Sequence, residues 1–220
     1  MMPRPHALIT GGQGTLAQAI CEQLRQRGWE VHAPGRDELN VTSTNGVTAY
    51  VEHLPPLDLV INNAAILADR SVASMTDADF AGVLDTCLTG AFRVARAVLP
   101  RMIERGQGHI INIGSHSALS GPRGQANYAA AKAGLIALTQ SLAIEGGPHH
   151  IRANTVMPGY LDTKLSAAAL AQHRPAVLAQ HLLGRLNTLE EAARFIVELD
   201  SYAHISGQLF QLDSRLSPWA

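Results

Sequence analysis

Residues 7–17 of this chain read Ala-Leu-Ile-Thr-Gly-Gly-Gln-Gly-Thr-Leu-Ala, and apolar residues at helical spacing follow them as far as Gly28. The order is a short apolar strand, a glycine turn and a helix. Because Gly11 and Gly14 lack Cβ atoms, the backbone there can turn sharply and let a pyrophosphate approach closely. The free N–H groups at the start of the helix would favour the negative charge of the pyrophosphate. This stretch therefore predicts a dinucleotide-binding turn at the first strand of an α/β fold.

Strand and helix patterns alternate along the rest of the chain. Short apolar runs predict strands over residues 7–9, 30–33, 57–61, 109–114, 151–157 and 208–212. Helical spacing predicts helices over residues 44–54, 76–105, 128–145 and 164–182, with N-terminal caps at Thr76 and, for a last helix, Thr188. The alternation predicts an α/β fold with a doubly wound parallel sheet of Rossmann type, in a single domain over residues 1–220.

The segment after the second strand is short. Only Asp37, Glu38 and Leu39 separate Arg36 from Asn40, where the next segment begins. A parallel neighbouring strand needs a crossover connection of about a dozen residues or more. The third-strand edge of the sheet is therefore predicted to be shortened or missing.

The composition limits the classes of function. The chain has 46% hydrophobic and 16% charged residues and a net charge of −1, which indicates a globular protein and does not favour nucleic acid or an anionic membrane as a partner. No apolar stretch is long enough to span a membrane, and the first apolar run is too short for a signal peptide. Cys21 and Cys87 have no metal-ligand spacing, and the ten histidines form no Cys/His motif. These features predict a cytoplasmic protein with surface histidines and no metal.

Tyr128 and Lys132 are four residues apart in a predicted helix, so both side chains lie on one face. A nearby ammonium stabilises a phenolate and lowers the pKa of the phenol from its reference value of about 10. The pair predicts a proton donor and acceptor, although this spacing alone is also common on surface helices. Ser115 follows another predicted strand, and ligands of open α/β sheets bind at the carboxyl ends of the strands.

The end of the second strand bears on the choice of cofactor. A carboxylate at this place accepts hydrogen bonds from the 2′-hydroxyl of NAD, whereas a basic residue pairs with the 2′-phosphate of NADP. The strand ends in Gly35-Arg36, and Asp37 and Glu38 come only afterwards. NADP(H) is therefore favoured over NAD(H). The alternative is that Arg36 is simply solvated.

Taken together, these residues resemble the short-chain dehydrogenase/reductase family, and within it the 3-oxoacyl-acyl-carrier-protein reductase branch. The resemblance covers nearly the whole chain. It rests on seven short motifs in the order of the family: Thr10-Gly11-x-x-Gly14, Asn62-Asn63-Ala64-Ala65, Ile113-Gly114-Ser115, Tyr128-x-x-x-Lys132, Pro158-Gly159-x-x-x-Thr163, Gly184-Arg185-Leu186 and Ser206-Gly207-Gln208.

The resemblance implies a role for each of these residues. Tyr128 would give a proton to the substrate carbonyl as hydride arrives from the nicotinamide, Lys132 would bind the nicotinamide ribose, and Ser115 would orient the carbonyl. Asn62 would line the adenosine side, and Thr163 would fix the carboxamide. The cofactor-binding residues implied are Thr10, Gly11, Gln13, Gly14, Leu16, Arg36, Asn40, Asn62, Ala64, Tyr128, Lys132, Pro158, Gly159 and Thr163.

Three positions depart from the family pattern. Ala17 replaces a packing glycine, and Asn40 stands where the family has an Asp that contacts adenine. Cys87 stands where the family has a catalytic Asn in the long helix. In the family that position holds a water that links Lys to solvent, largely through its backbone carbonyl, which Cys87 retains.

The predicted function is hydride transfer between NADP(H) and a small carbonyl or secondary alcohol, with a 3-oxoacyl thioester as one candidate. The alternatives are a pterin or quinone reductase and a non-catalytic NADP(H)-binding redox sensor. The Ala- and Leu-rich segment 164–182 hints at an apolar substrate or a pantetheine arm, and His116 either borders the substrate or is an ordinary loop residue. Surplus apolar surface on helices 76–105 and 128–145 predicts a homodimer or homotetramer.

Overall fold

A six-stranded sheet forms the centre of the computed structural model, which describes residues 4–216. Its strands are β1 (His6–Ile9), β2 (Glu30–His32), β3 (Leu59–Asn62), β4 (Gly108–Ile113), β5 (Ile151–Met157) and β6 (Leu209–Gln211). Neighbouring strands all pair in parallel, in the order β2-β1-β3-β4-β5-β6. The predicted fold class, an α/β doubly wound parallel sheet, is confirmed. The predicted single domain, residues 1–220, includes residues at both ends that lie outside the described range.

Helices connect the strands and cover both faces of the sheet. They are α1 (Thr15–Gln26), α2 (Thr44–Glu52), α3 (Asp77–Leu84), α4 (Gly90–Arg105), α5 (Ser117–Ser120), α6 (Ala126–Gly146), α7 (Ala167–Ala179) and α8 (Leu189–Glu198). The caps predicted at Thr76 and Thr188 are confirmed, because their hydroxyls accept the N–H groups of Asp79 and Glu191. Within the described range, no helix combines the length and apolar character needed to cross a membrane.

The two faces of the sheet pack against different helices. Successive residues of a strand point to opposite faces. Ile61 and Ile111 pack with α1 and α8, whereas Val60 and Ile110 pack with α2, α4 and α6. Because both faces are covered, the central strands are apolar throughout. The carboxyl ends of β1, β3, β4 and β5 meet at one edge, where the predicted site residues converge.

The sheet ends at β2, as the short connection predicted. Between β2 and α2 the chain forms turns and no strand. Its apolar residues Leu39 and Val41 are buried in the layer of α2 and α4, so the segment closes the core without joining the sheet. The Ser43 hydroxyl then caps α2 by accepting the N–H of Gly46.

The helix predicted over residues 76–105 is interrupted. A π-helical turn, Asp85–Thr89, joins α3 to α4, and the N–H of Gly90 donates to the carbonyl of Asp85, five residues earlier. The guanidinium of Arg93 contacts the Asp85 carboxylate at 2.7 Å. The pattern of apolar residues does not reveal one extra residue in a turn, which is why a regular helix was predicted.

The helix within the segment predicted over residues 164–182 is shorter and bent. In α7, His173 has a non-helical φ of −130° and ψ of 15°, and Pro175 lies two residues later. Proline lacks an N–H and crowds the turn before it, which explains the kink.

Two histidines lie in the interior, contrary to the prediction of surface histidines. The His109 ring contacts the Asp200 carboxylate at 2.9 Å and the Asn154 side chain at 3.0 Å. Arg152 donates to the same carboxylate at 3.0 Å, so the network ties β4 and β5 to the chain after α8. Burial lowers the pKa of His109, and the hydrogen bond to Asp200 opposes this effect. A polar ring is tolerated in a core when its atoms are paired. His181 is the second buried histidine.

Candidate active site

The glycine turn between β1 and α1 passes close to the chain after β2 and leaves the start of the helix open. Gly11 has a φ of +66°. A Cβ on Gly12 would lie 2.0 Å from the carbonyl oxygen of Ala33, so only glycine fits there. Gly14 is the N-cap residue of α1, and within the described chain no side chain caps that helix. No side chain of the described residues therefore occupies the backbone N–H groups at the start of α1, a type of position at which anions commonly bind. The motif spacing singled out Gly11 and Gly14 but not Gly12.

Thr10 connects this turn to the end of β3. Its hydroxyl accepts the N–H groups of Asn63 at 3.0 Å and Ala64 at 3.1 Å. The Asn63 side chain donates back to the carbonyls of Thr10 at 3.1 Å and Gly11 at 3.3 Å. Thr10 therefore shapes the glycine turn through its neighbours, because its hydroxyl already accepts two hydrogen bonds.

The side chain of Asn62 lies inside the sheet, so the prediction that it lines the adenosine side is wrong. Asn62 is 4% exposed and donates to the Asn112 side chain at 2.9 Å. Asn112 in turn donates to the Thr139 hydroxyl at 2.8 Å. Residues alternate between the two sides of a strand, and Asn62 is still part of β3. Its neighbour Asn63 is the one that bonds to the glycine turn.

The predicted adenosine end lies beside the loop after β2. Gln13 packs over Gly35, where a Cβ would lie 2.4 Å from the Gln13 Nε2 atom. The Glu38 carboxylate accepts a hydrogen bond from the N–H of Gly35 at 2.8 Å, so it already has a partner within the loop. Arg36 is exposed. Asn40 closes its own turn, since its side-chain oxygen accepts the N–H of Thr42 at 3.1 Å. Leu16, predicted to contact the cofactor, is buried under the start of α1.

Ser115, Tyr128 and Lys132 meet beyond the carboxyl end of β4. Tyr128 and Lys132 are 8% and 2% exposed, and both lie on α6. The Lys132 Nζ atom donates to the carbonyl of Ile113 at 2.6 Å and lies 5.5 Å from the centre of the Tyr128 ring. A hydrogen bond joins the side chains of Tyr128 and Ser115. The residues that the spacing and the family pattern singled out thus lie together, with Tyr128 and Lys132 buried and Ser115 partly exposed.

The pKa of Tyr128 shifts in the direction opposite to the prediction. Burial raises it, the proximity of Cys87 adds to this, and the hydrogen bond to Ser115 opposes it. Burial lowers the pKa of Lys132. Both charged forms lose their hydration, and the Lys132 ammonium is directed at a backbone carbonyl, so desolvation outweighs attraction. The Tyr128 phenol is therefore protonated at neutral pH.

Cys87 lies in the π-helical turn and packs beneath Tyr128. It is buried with Val83, Tyr128 and Ala131 in one cluster, and its thiol is directed at the carbonyl of Ile66 at 3.7 Å. The side chain that stands in place of the family Asn is therefore a small core residue. π-Helical turns occur often at functional sites, and this one lies directly behind the proposed proton donor.

The turn after β5 is packed against Asn187, Leu212 and Asp213. Gly159 has a φ of +87°, and a Cβ there would lie 3.0 Å from the Cβ of Asp213. The Pro158 carbonyl accepts the Asn187 amide at 2.8 Å. The Thr163 hydroxyl lies 3.1 Å from the Ser166 hydroxyl, so it already has a partner. The sequence pattern did not single out Asp213, because nothing local connects it to Gly159.

The comparisons agree with this geometry. A model of the family described as short chain dehydrogenase matches residues 38–174, and the chain belongs to that family of oxidoreductases. It is 34% identical to the 3-oxoacyl-[acyl-carrier-protein] reductase FabG of Vibrio cholerae, over 96% of each chain. It is 35% identical to the acetoacetyl-CoA reductase of Rhizobium meliloti, over 89% of this chain and 90% of that protein.

A solved structure extends the agreement to three dimensions. It is an oxidoreductase of the short chain dehydrogenase/reductase family from Burkholderia thailandensis, with a TM-score of 0.90 and 27% identity. The match covers 97% of this chain and 92% of that one. The predicted family resemblance is confirmed, including its likeness to the 3-oxoacyl reductase branch.

Proposed function

We propose that this protein is an NADP(H)-dependent reductase of small carbonyl compounds, with Ser115, Tyr128 and Lys132 as its catalytic residues. The observation that carries the proposal is the convergence of these three side chains at the carboxyl end of β4, where Tyr128 and Lys132 are buried and Ser115 pairs with the Tyr128 phenol. Tyrosine and lysine are rarely buried so deeply without a role, since burial disfavours their charged forms.

The glycine turn suits the pyrophosphate of a dinucleotide. Gly12 has no space for a side chain, and the uncapped start of α1 presents N–H groups to an anion. Pro158 and Gly159 would contact the nicotinamide half, together with Thr163 and Ala64. A bound nicotinamide would supply the hydride.

The protein side chains would handle the proton. Tyr128, protonated at neutral pH, donates it to the carbonyl oxygen, and the Ser115 hydroxyl donates a second hydrogen bond to the same oxygen. The phenolate left on Tyr128 would take its proton back from solvent, and the nearby Lys132 ammonium would stabilise that phenolate until it does. At neutral pH the phenol is in the protonated form that carbonyl reduction requires.

NADPH oxidation with a panel of substrates tests this function. The panel contains simple ketones, hydroxy ketones, 3-oxoacyl thioesters, pterins and quinones. We expect turnover with at least one carbonyl compound. Tight binding of NADPH without turnover of any member would contradict the proposal and support the redox sensor instead.

Replacing Arg36 with Leu should raise the KM for NADPH by about 10- to 100-fold, because one charge-assisted hydrogen bond to the 2′-phosphate is lost. The KM for NADH should change by less than about threefold, because NADH lacks that phosphate. Initial rates with both cofactors provide the measurement, and Arg25→Leu on exposed α1 surface is the matched control. An unchanged KM for NADPH would mean that Arg36 is only solvated.

We also propose a homodimer or homotetramer assembled through α4 and α6. Phe92 on α4 is 41% exposed and Ile144 on α6 is 77% exposed, which is unfavourable for a monomer. Sedimentation at micromolar concentration should give at least twice the mass of one chain, and Ile144→Asp should shift the protein toward monomer. A wild-type monomer at that concentration contradicts this assembly.

A further inference from the structure

A second polar group lies next to the catalytic residues, and residues 211–216 build much of it. The Asp213 carboxylate is buried and accepts hydrogen bonds from Gln211 at 2.8 Å and from the Arg215 backbone at 3.1 Å. The Arg215 guanidinium pairs with the same carboxylate, with Nε at 2.8 Å. These bonds fold the end of the described chain into a compact turn. The histidine cluster, as we call it, consists of His116, Tyr160, His181, Asp213 and Arg215.

The histidine cluster lies between the catalytic serine and the Pro158-Gly159 turn. His116 directly follows Ser115. Asp213 packs against Gly159, where an added Cβ would lie 3.0 Å from the Asp213 Cβ. The Arg215 guanidinium lies 5.9 Å from the centre of the Tyr160 ring. The cluster therefore lies beside Ser115 and the Pro158-Gly159 turn, where the proposed function places the carbonyl and the nicotinamide half of the cofactor.

Two ring nitrogens of the histidine cluster are buried without a partner among the described residues: Nε2 of His116 and Nε2 of His181. His181 donates from Nδ1 to the Val177 carbonyl at 2.8 Å, so Nε2 is the ring nitrogen left without a partner in the described chain. That atom lies 3.9 Å from the Asp213 carboxylate, too far for a hydrogen bond. Buried polar atoms without partners destabilise a fold, and such atoms beside an active site indicate ligand contacts.

The charges of the histidine cluster favour a neutral ligand group over an anion. Arg215 carries a positive charge, but the Asp213 carboxylate pairs with it directly. Burial lowers the pKa of His116, and the Arg215 charge adds to this, while Asp213 opposes it. A hydrogen bond to the Leu216 backbone engages the His116 ring, which leaves Nε2 as the free acceptor. A neutral acceptor pairs with a hydroxyl group and not with a carboxylate.

We propose that His116, with His181 behind it, binds hydroxyl groups of the substrate, so that the preferred substrate is a hydroxylated carbonyl compound and not an unbranched acyl chain. This inference rests on the proposed function and names its substrate class. It also revises the expectation of an apolar substrate drawn from the Ala- and Leu-rich segment 164–182, since the groups nearest Ser115 are polar.

Kinetics with a matched pair of ketones test the proposal. 1-Hydroxy-2-butanone and 2-butanone differ in one hydroxyl group next to the carbonyl. The wild-type kcat/KM should be at least about tenfold higher for the hydroxy ketone than for 2-butanone, because the hydroxyl group adds one well-placed hydrogen bond. His116→Leu should lower kcat/KM for the hydroxy ketone by about 10- to 100-fold, mainly through KM, and for 2-butanone by less than about threefold.

Two further variants separate recognition from folding. His116→Gln keeps a polar group near the Nε2 position and should restore part of the preference for the hydroxy ketone. His204→Leu, at an exposed histidine, should behave like wild type. A wild-type enzyme without preference between the two ketones, or an equal loss on both in His116→Leu, overturns the proposal.

Calorimetry distinguishes failure of this inference from failure of the proposed function. In the presence of NADP⁺, the Tyr128→Phe variant should bind the hydroxy ketone about tenfold more tightly than 2-butanone, whether or not the wild type turns either over. Equal affinities overturn the inference alone. The absence of NADPH oxidation by the wild type with every carbonyl compound overturns the proposed function alone.

Discussion

Tyr128→Phe should reduce kcat by about 10²- to 10⁴-fold, the usual contribution of a positioned proton donor. The phenol hydroxyl is bonded to Ser115, and in the proposed mechanism it is the group that transfers its proton to the carbonyl oxygen, while Ser115 only donates a hydrogen bond. Removing it leaves the carbonyl to take its proton from water. Steady-state rates of NADPH oxidation with the best substrate of the panel give the measurement.

The Phe variant should otherwise resemble the wild type. The ring continues to pack against Val83, Cys87 and Ala131, so the dissociation constant for NADPH should stay within about twofold and the fold should persist. Tyr202→Phe, at an exposed tyrosine, is the matched control and should keep full activity. An undiminished kcat in Tyr128→Phe would rule out the proton-donor role.

Gly12→Ala should destabilise the protein by about 3 kcal/mol and abolish dinucleotide binding. The new Cβ would lie 2.0 Å from the Ala33 carbonyl oxygen and 2.4 Å from its carbon, and backbone atoms cannot yield as a flexible side chain can. The β1–α1 turn would have to move away from β2, which displaces the N–H groups at the start of α1. Urea unfolding and fluorescence titration with NADPH measure the two effects.

Gly82→Ala is the matched control for this experiment. Gly82 lies in α3 with no atom within 4 Å of an added Cβ, so alanine should be neutral or stabilise by about 0.5–1 kcal/mol. Equal stability of the two alanine variants would contradict the close approach between Gly12 and β2.

The sheet was predictable because its signals are local. Alternating apolar runs and helical spacing identify strands and helices within a few residues, and the three residues between Arg36 and Asn40 exclude a crossover. In a parallel sheet the carboxyl ends of the strands share one edge, so Ser115 and the Pro158-Gly159 turn had to be neighbours. The family pattern then assigned roles to residues that this topology brings together.

Local signals were insufficient where a side chain's partner is remote in the chain. Asn62 follows an apolar run, but its side chain lies in the core, where it donates a hydrogen bond to Asn112 on the next strand. The spacing of Tyr128 and Lys132 predicted their common face, but not the burial that reverses the expected shift in the pKa of the phenol. Desolvation depends on everything packed around a group and cannot be read from its neighbours in sequence.

Residues 7–17 contain enough information to predict the strand, turn and helix at the start of the sheet, because glycine spacing acts over one turn of backbone. Gly12 must be glycine because Ala33 lies against it, and Ala33 reaches that place only through the pairing of β1 with β2. The surroundings of His116 depend in the same way on Asp213 and Arg215, almost a hundred residues further along the chain. Short motifs identify the family, whereas the charged groups around His116 come together only when residues 211–216 pack beside the turn after β5.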